Sequence, residues 1–423
     1  MKRCLLVLTA LLFIVGWLTA CGKPAEQPPP IDVPAGTTVL QWSVWGGTST
    51  VRVFEQLADM FEAQHPDIRL QLVSVADYMN YITKLETLIA GNAAPDVIMI
   101  SPGVGTDLML MGALADLIPH VEADPDVSVD DFVPIVLQTL SYEGKLYALP
   151  KDFGVDVLYY NKGAFDAAGL DYPDDTWTWD TLLSAAKALT VRDESGRVIQ
   201  WGWTDSALNM WPWVWQNGGT VLDDPYKPTR ATLCDPPAME AVEFYYSLSL
   251  EHAVAPNVAE LQQTPFRELF MAGRVAMIYD TFGTQIPFSE ITAFEWDVAP
   301  LAHGVYRATP LATAGYGMSA TTQHPDQAWE LIKFLSGPEA VLVVAQAGGG
   351  MPARIDLLDS PDILIRPAFR DSIAYARPHM AAAHFLEMMS VYRAHLPIMA
   401  MGIKSVPDSL NEMCDQVNGI LQQ

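Results

Sequence analysis

Hydrophobic spacing changes period repeatedly along the first hundred residues, and each change predicts an element. Residues 38–45 (Thr-Val-Leu-Gln-Trp-Ser-Val-Trp) have strand character, and Gly46-Gly47 interrupts them. From 51 to 65, Val53, Phe54, Leu57, Met60 and Phe61 recur at helical spacing until Pro66 stops the run. Residues 68–73 alternate as a strand does. Residues 78–90 place Tyr81, Leu85, Leu88 and Ile89 on one helical face, ended by Gly91-Asn92, and 95–100 reads as a buried strand. This strand–helix–strand–helix–strand order implies a parallel sheet covered by helices. Ligands gather at the carboxyl ends of such strands, which here are the loops 45–49 and 101–105.

The pattern continues with a strand at 155–160 and a helix at 179–189 that Thr178 is placed to cap. A dense aromatic segment follows at 201–215 and ends in Asn217-Gly218-Gly219. Helices are predicted at 238–250, 265–272, 326–335, 339–347 and over much of 382–421, and a strand at 275–279. Residues 22–36 are rich in proline, with Pro28-Pro29-Pro30 at the centre, and read as an extended tether.

The beginning of the chain has a different logic. Lys2 and Arg3 precede an apolar stretch, 5–17, that is short for a membrane span, and Leu18-Thr19-Ala20-Cys21 follows. Charge, hydrophobic run and small residues are the parts of a signal peptide. Cysteine at the first mature position resembles the bacterial lipobox, which implies cleavage after residue 20, lipidation of Cys21 and an extracytoplasmic chain held to the membrane by lipid.

Composition narrows the class. Half of the residues are hydrophobic, enough for a large core in two domains or lobes. The formal charge is −26, and −28 once Lys2 and Arg3 leave with the signal. That charge repels phosphate backbones, so no nucleic acid partner is expected. Cys4 leaves with the signal, and Cys234 and Cys414 remain as either a disulfide or two buried thiols. No CxxC, Cys/His cluster or HExxH is present, so no metal and no cofactor are expected.

Taken together, the segments resemble the solute-binding proteins of ABC importers, in particular the maltose-binding-protein-like sugar-binding group. The likeness runs from about residue 37 through nearly all of the mature chain. It rests on the order of its pieces: Trp42 and Trp45 before Gly46-Gly47; Phe61-Glu62-Ala63-Gln64-His65-Pro66-Asp67-Ile68; Ala90-Gly91-Asn92-Ala93-Ala94-Pro95-Asp96-Val97; Leu114-Ala115-Asp116-Leu117; Tyr142-Glu143-Gly144-Lys145-Leu146-Tyr147-Ala148-Leu149-Pro150; Leu158-Tyr159-Tyr160-Asn161-Lys162; Thr176-Trp177-Thr178-Trp179-Asp180; and Phe270-Met271-Ala272-Gly273-Arg274-Val275-Ala276-Met277 before Val298-Ala299-Pro300-Leu301. The resemblance implies a two-lobed α/β fold of the type II periplasmic-binding-protein kind, each lobe a sheet flanked by helices, with ligand between them. Lobe I would take 37–150 and 300–358, lobe II 151–299 and 359–423, with crossings near 149–155, near 298–301 and after Gly350. A monomer that hands a small molecule, a carbohydrate, to the transmembrane subunits of an ABC permease is the implied function. The sequence departs from the group in having Asp280-Thr281-Phe282-Gly283 where a glycine and a tryptophan often stand, and in lacking a tryptophan near 379–385.

A sugar offers apolar C–H faces and a rim of hydroxyls, which suit aromatic rings and small polar acceptors respectively. Candidate contacts are Trp45, Gly46, Gly47 and Thr48 after the first strand, and Ser101 and Gly103 after the third. Asp152 and Phe153 lie at a crossing. Asn209, Trp211 and Trp213 belong to the aromatic segment. In an extended chain Trp211, Trp213 and Trp215 would share one side, and on a helix they would splay. Asp280, Phe282, Gly315, Tyr316 and Arg354 complete the set, with Arg377 and His379 as further candidates; Asp96 reads as a structural residue of its turn. Other solutes, such as a polyamine or a glycerol phosphate, are alternative ligands, and a secreted glycoside hydrolase is the enzymatic alternative. No GxSxG, phosphate-binding glycine loop or dinucleotide fingerprint supports an enzyme.

Overall fold

The computed structural model describes residues 33–206 and 209–423. The expected signal segment, Cys21 and most of the tether lie outside the described residues. Twelve strands are found among them: β1 Thr38–Trp45, β2 Ile68–Val75, β3 Val97–Ile100, β4 Ser141–Tyr142, β5 Lys145–Leu146, β6 Leu149–Asn161, β7 Val191–Arg192, β8 Val198–Thr204, β9 Val275–Thr281, β10 Trp296–Ala299, β11 Thr309–Met318 and β12 Ala376–Pro378. β4 and β5 form a separate hairpin, and the main sheet runs β2-β1-β3-β11-β6-β9-β8-β7.

The first half follows from its pattern. Leu40, Trp42 and Val44 alternate inward along β1 and are fully buried, packed with Phe54, Leu57 and Phe61 of the helix Thr48–Gln64. β1 pairs in parallel with β2 and with β3, as the connecting helices require. Asp77 caps the helix Tyr78–Ala90 through the Asn80 amide at 2.9 Å. Asp96 accepts from the Gln41 amide at 2.8 Å and from the Thr322 hydroxyl at 2.5 Å, a structural role.

Two long strands serve both halves. Residues 149–155 of β6 pair with β11, whereas 156–160 pair with β9 and, on the other edge, 158–161 with β10. β11 in turn pairs through Gly315–Met318 with β3 and through Thr309–Leu311 with β12. The crossing expected near 298–301 therefore falls further along the chain. Ala299, Leu301, Ala302 and Ala308 are packed in the core of the second half, so the passage back is made by β11. Between the two cores lies a hinge cluster in which Phe153, Val155, Val157 and Tyr159 of β6 meet Phe270, Phe282 and Phe369.

The chain ends in the helices Phe385–Ala400 and Val406–Leu421, which pack on the second half. Cys234 and Cys414, left open by the sequence, are joined as a disulfide that ties the last helix to the segment before the helix Pro236–Leu250. No helix among the described residues is long and apolar enough to cross a membrane.

Candidate ligand-binding cleft

A cavity of about 440 Å³ opens between the two halves, within the size range of small-molecule sites. Its floor is β11, through Leu311, Ala312 and Thr313. One wall is the start of the helix Pro102–Leu110, with Ser101, Pro102 and Gly103; the opposite wall is the helix Trp211–Gln216 and the loop after it, with Trp211, Trp215, Leu222 and Pro225. Arg377, His379, Phe385 and Met389 close the remaining side.

The aromatic wall follows from helical geometry. Trp211 and Trp215 are four residues apart and share the face turned to the cavity. Trp213 points the other way and is fully buried among Trp179, Trp203, Phe244, Tyr245 and Tyr279. Trp211 stands edge-on to Tyr392 at 5.4 Å and to His379 at 6.3 Å, and Trp215 lies 6.0 Å from the same histidine. Burial lowers the His379 pKa to about 4, so the ring is neutral at physiological pH and offers one donor and one acceptor.

The facing wall needs small residues. A Cβ on Gly103 would lie 2.5 Å from the Phe385 ring, so glycine lets that ring cover the first turn of the helix. The segment leading to Phe385 is fastened on both sides. Thr106 donates to the Ala381 carbonyl at 2.9 Å and the His384 amide donates to Asp107 at 3.0 Å. From the other half, the Pro225 carbonyl accepts from the Ala381 amide at 3.0 Å. Burial raises the Asp107 pKa to about 6. The Ser101 hydroxyl is hydrogen-bonded to that of Tyr78, whose ring meets Trp45 edge-on at 5.1 Å.

Of the residues singled out from sequence, Ser101, Gly103 and Trp211, with the further candidates Arg377 and His379, are brought together around this cavity. The others sit elsewhere, each for an evident reason. Trp45 does not line the cavity and packs against Tyr78 and Tyr81. Gly46 has φ 151° and a Cβ there would strike Thr50, so it shapes the turn into the first helix with Gly47 and Thr48. Asp152 accepts from the Gly350 amide at 3.0 Å and pairs with Lys151, and Phe153 is buried beside it; both belong to the hinge. Asn209 donates to Asp156 at 2.9 Å. Asp280 receives two hydrogen bonds from Arg267, at 2.6 and 2.8 Å, and Phe282 packs edge-on against Phe369. Gly315 allows close approach to the Leu149 carbonyl, and Tyr316 is fully buried against Trp42, so neither meets the cavity. Arg354 pairs with Asp356 at 3.0 Å and Asp131 at 3.6 Å. Trp215, Thr313 and Phe385 are lining residues that the sequence reading did not select. The i, i+4 spacing of Trp211 and Trp215 was the available signal for one of them.

The chain matches the profile of the bacterial extracellular solute-binding proteins over residues 47–342. It belongs to that family. Members are solute-binding receptors of ABC transporters and not enzymes. A curated relative, the arabinooligosaccharide-binding protein of Halalkalibacterium halodurans, is 29% identical over 230 residues, spanning 53% of this chain and 48% of that protein. The fold is shared with an ABC substrate-binding protein of Listeria monocytogenes solved in complex with cycloalternan: TM-score 0.82, 25% identity, 91% of this chain and 99% of that one. It is shared also with a maltose-bound protein of Thermotoga maritima at TM-score 0.77, 21% identity, 91% of this chain and all of the other. The mixed α/β fold is that of periplasmic binding proteins.

Proposed function

We propose that this solute-binding protein takes up a sugar or short oligosaccharide in the cleft between two lobes and delivers it, unchanged, to an ABC permease. The observation that carries the reading is the pair Trp211 and Trp215 on one wall of an interlobe cavity, opposite Phe385 and the Ser101 hydroxyl. Flat rings suit the C–H faces of a pyranose or furanose, and scattered hydroxyl and imidazole groups suit its rim. The relatives named above for arabinooligosaccharide and solved with cycloalternan support a carbohydrate. A polyamine finds less support: among the described residues no Asp or Glu lines the cavity, and Asp152 and Asp280 are engaged by Lys151 and Arg267.

Lobe I would comprise about 37–150 and 312–358, lobe II about 156–308 and 359–423, with β6 and β11 as the flexing strands. Ligand favours closure only by touching both lobes, and the cavity has walls from each. Lipid on Cys21, following the Leu-Thr-Ala-Cys motif, would hold the receptor at the outer face of the membrane. Cys21→Ser is expected to release the protein from the membrane fraction; retention would refute the anchor.

The deciding experiment is a thermal-shift screen of sugars, sugar acids, sugar phosphates, glycerol phosphates and polyamines, followed by chromatography of the hit. A receptor is stabilised and returns the sugar intact. Stabilisation by polyamines alone, or appearance of cleaved sugar, would overturn the reading.

A further inference from the structure

The cavity has an unusual charge inventory for so acidic a chain. Fifty Asp and Glu residues are present in the sequence, yet among the described residues none lines the cavity. Its one formally charged lining residue is Arg377, since burial keeps His379 neutral. Arg377, Pro378, His379 and Met380, on the extended run that begins at β12, all line the cavity. Ala376, just before them, is packed in the hinge cluster.

Other arginines that touch the crossing strands or their neighbours have carboxylate partners. Arg267 holds Asp280, Arg354 holds Asp356 and Asp131, and Arg366 reaches Asp297 at 3.3 Å. The backbone of Arg377 is paired with β11, but its guanidinium has neither an ion-pair nor a hydrogen-bond partner among the described residues. Arg377 is an exposed residue, and an exposed guanidinium is hydrated. A ligand that covers the guanidinium removes that water. Covering an unpaired cation costs free energy unless the ligand supplies the opposite charge. A neutral sugar offers only hydroxyls to a five-donor planar cation, whereas a carboxylate or phosphate offers two oxygens in matching geometry.

Resting on the carbohydrate reading above, we infer that the cleft selects an acidic sugar, one carrying a carboxylate or a phosphate, and that Arg377 is the residue that selects it. The aromatic wall receives the sugar ring and Arg377 receives the anion at its edge. The same inventory explains rejection of cations, since a second positive charge would face Arg377 with no acid nearby.

The test uses calorimetric titration at low salt with matched probes: α-1,4-galactobiose and digalacturonate for neutral against carboxylate, glucose and glucose 1-phosphate for neutral against phosphate. The acidic member of at least one pair is expected to bind about tenfold tighter or more, and which pair shows it distinguishes carboxylate from phosphate. In Arg377→Gln that ratio is expected to fall to about one, and in Arg377→Lys to an intermediate value, with unfolding midpoints confirming that both variants fold. Neutral members binding as tightly as their acidic partners, or a preference that survives Arg377→Gln, overturns the inference and leaves the sugar receptor standing. Binding of none of these probes, together with stabilisation by a non-sugar in the thermal-shift screen, overturns the carbohydrate reading and this inference with it.

Discussion

The hinge and the cleft lie side by side on the same two strands and treat polar groups in opposite ways. In the hinge the polar side chains have partners inside the protein. Arg267 grips Asp280, whose side chain is 5% exposed; Asn209 donates to Asp156; and Asp152 is held by Lys151 and the Gly350 amide. In the cleft the groups are left open: two indole faces, a neutral imidazole and an arginine without a carboxylate. Thr313 joins the regions, because it lines the cavity and donates to the Asp152 carbonyl at 2.5 Å. The difference teaches how to separate architecture from recognition among residues of one type. Satisfied charges fix geometry, and unsatisfied ones mark where a guest completes the structure.

The comparison breaks most visibly at its two arginines. Arg267→Ala leaves Asp280 buried without its partner and next to Asp156. It is expected to cost about 3 kcal/mol of stability, read as a lowered urea midpoint at unchanged slope. Arg377→Gln is expected to stay within about 0.5 kcal/mol of the parent in the same assay. Equal losses at both positions would erase the distinction drawn between hinge and cleft.

A smaller effect sharpens the same contrast. Burial first, and the neighbouring Asp280 charge second, raise the Asp156 pKa from 3.8 to about 7. The unfolded chain loses that proton near pH 4 while the folded chain keeps it to about pH 7. Between those values the folded state binds more protons, so this group lowers stability as pH rises through the window. Asp156→Asn removes the effect. Its melting temperature should gain on the parent by roughly 2–4 °C between pH 4 and pH 8, whereas melting curves that stay parallel across that range would contradict the assignment.

Much of the first half was legible in the sequence because its elements are regular and its cores local. The period changes at 38–45, 51–65, 68–73, 78–90 and 95–100 correspond to β1, the helix Thr48–Gln64, β2, the helix Tyr78–Ala90 and β3. Thr178 caps its helix through the Thr181 amide, as its position predicted. The cleft was harder to read, for physical reasons. Residues 211–216 form a single short helix opened by Pro212, too brief for a periodic signal to decide between helix and extended chain. That one ambiguity settles which tryptophans face a ligand. Gly315-Tyr316-Gly317 has the composition of a ligand loop, yet these glycines serve close strand approach: added Cβ atoms would lie 2.7 Å from the Leu149 and Tyr147 carbonyls. In the sequence Arg377 and His379 are only further candidates and Phe385 is not selected, because the segment from β12 onward is brought to the cavity by pairing of β12 with β11 from far along the chain. Pairing of that kind has no local signature.

The central claim is that Trp211 and Trp215 form the receiving wall of a sugar-binding cleft, while Trp213 between them serves only the core. The most direct measurement is calorimetric titration of the best sugar from the screen into a Trp211→Ala/Trp215→Ala variant whose unfolding midpoint has been recorded. The account predicts affinity weakened by about a hundredfold or more in a protein that still melts cooperatively. Binding at parental strength in that folded variant would contradict it.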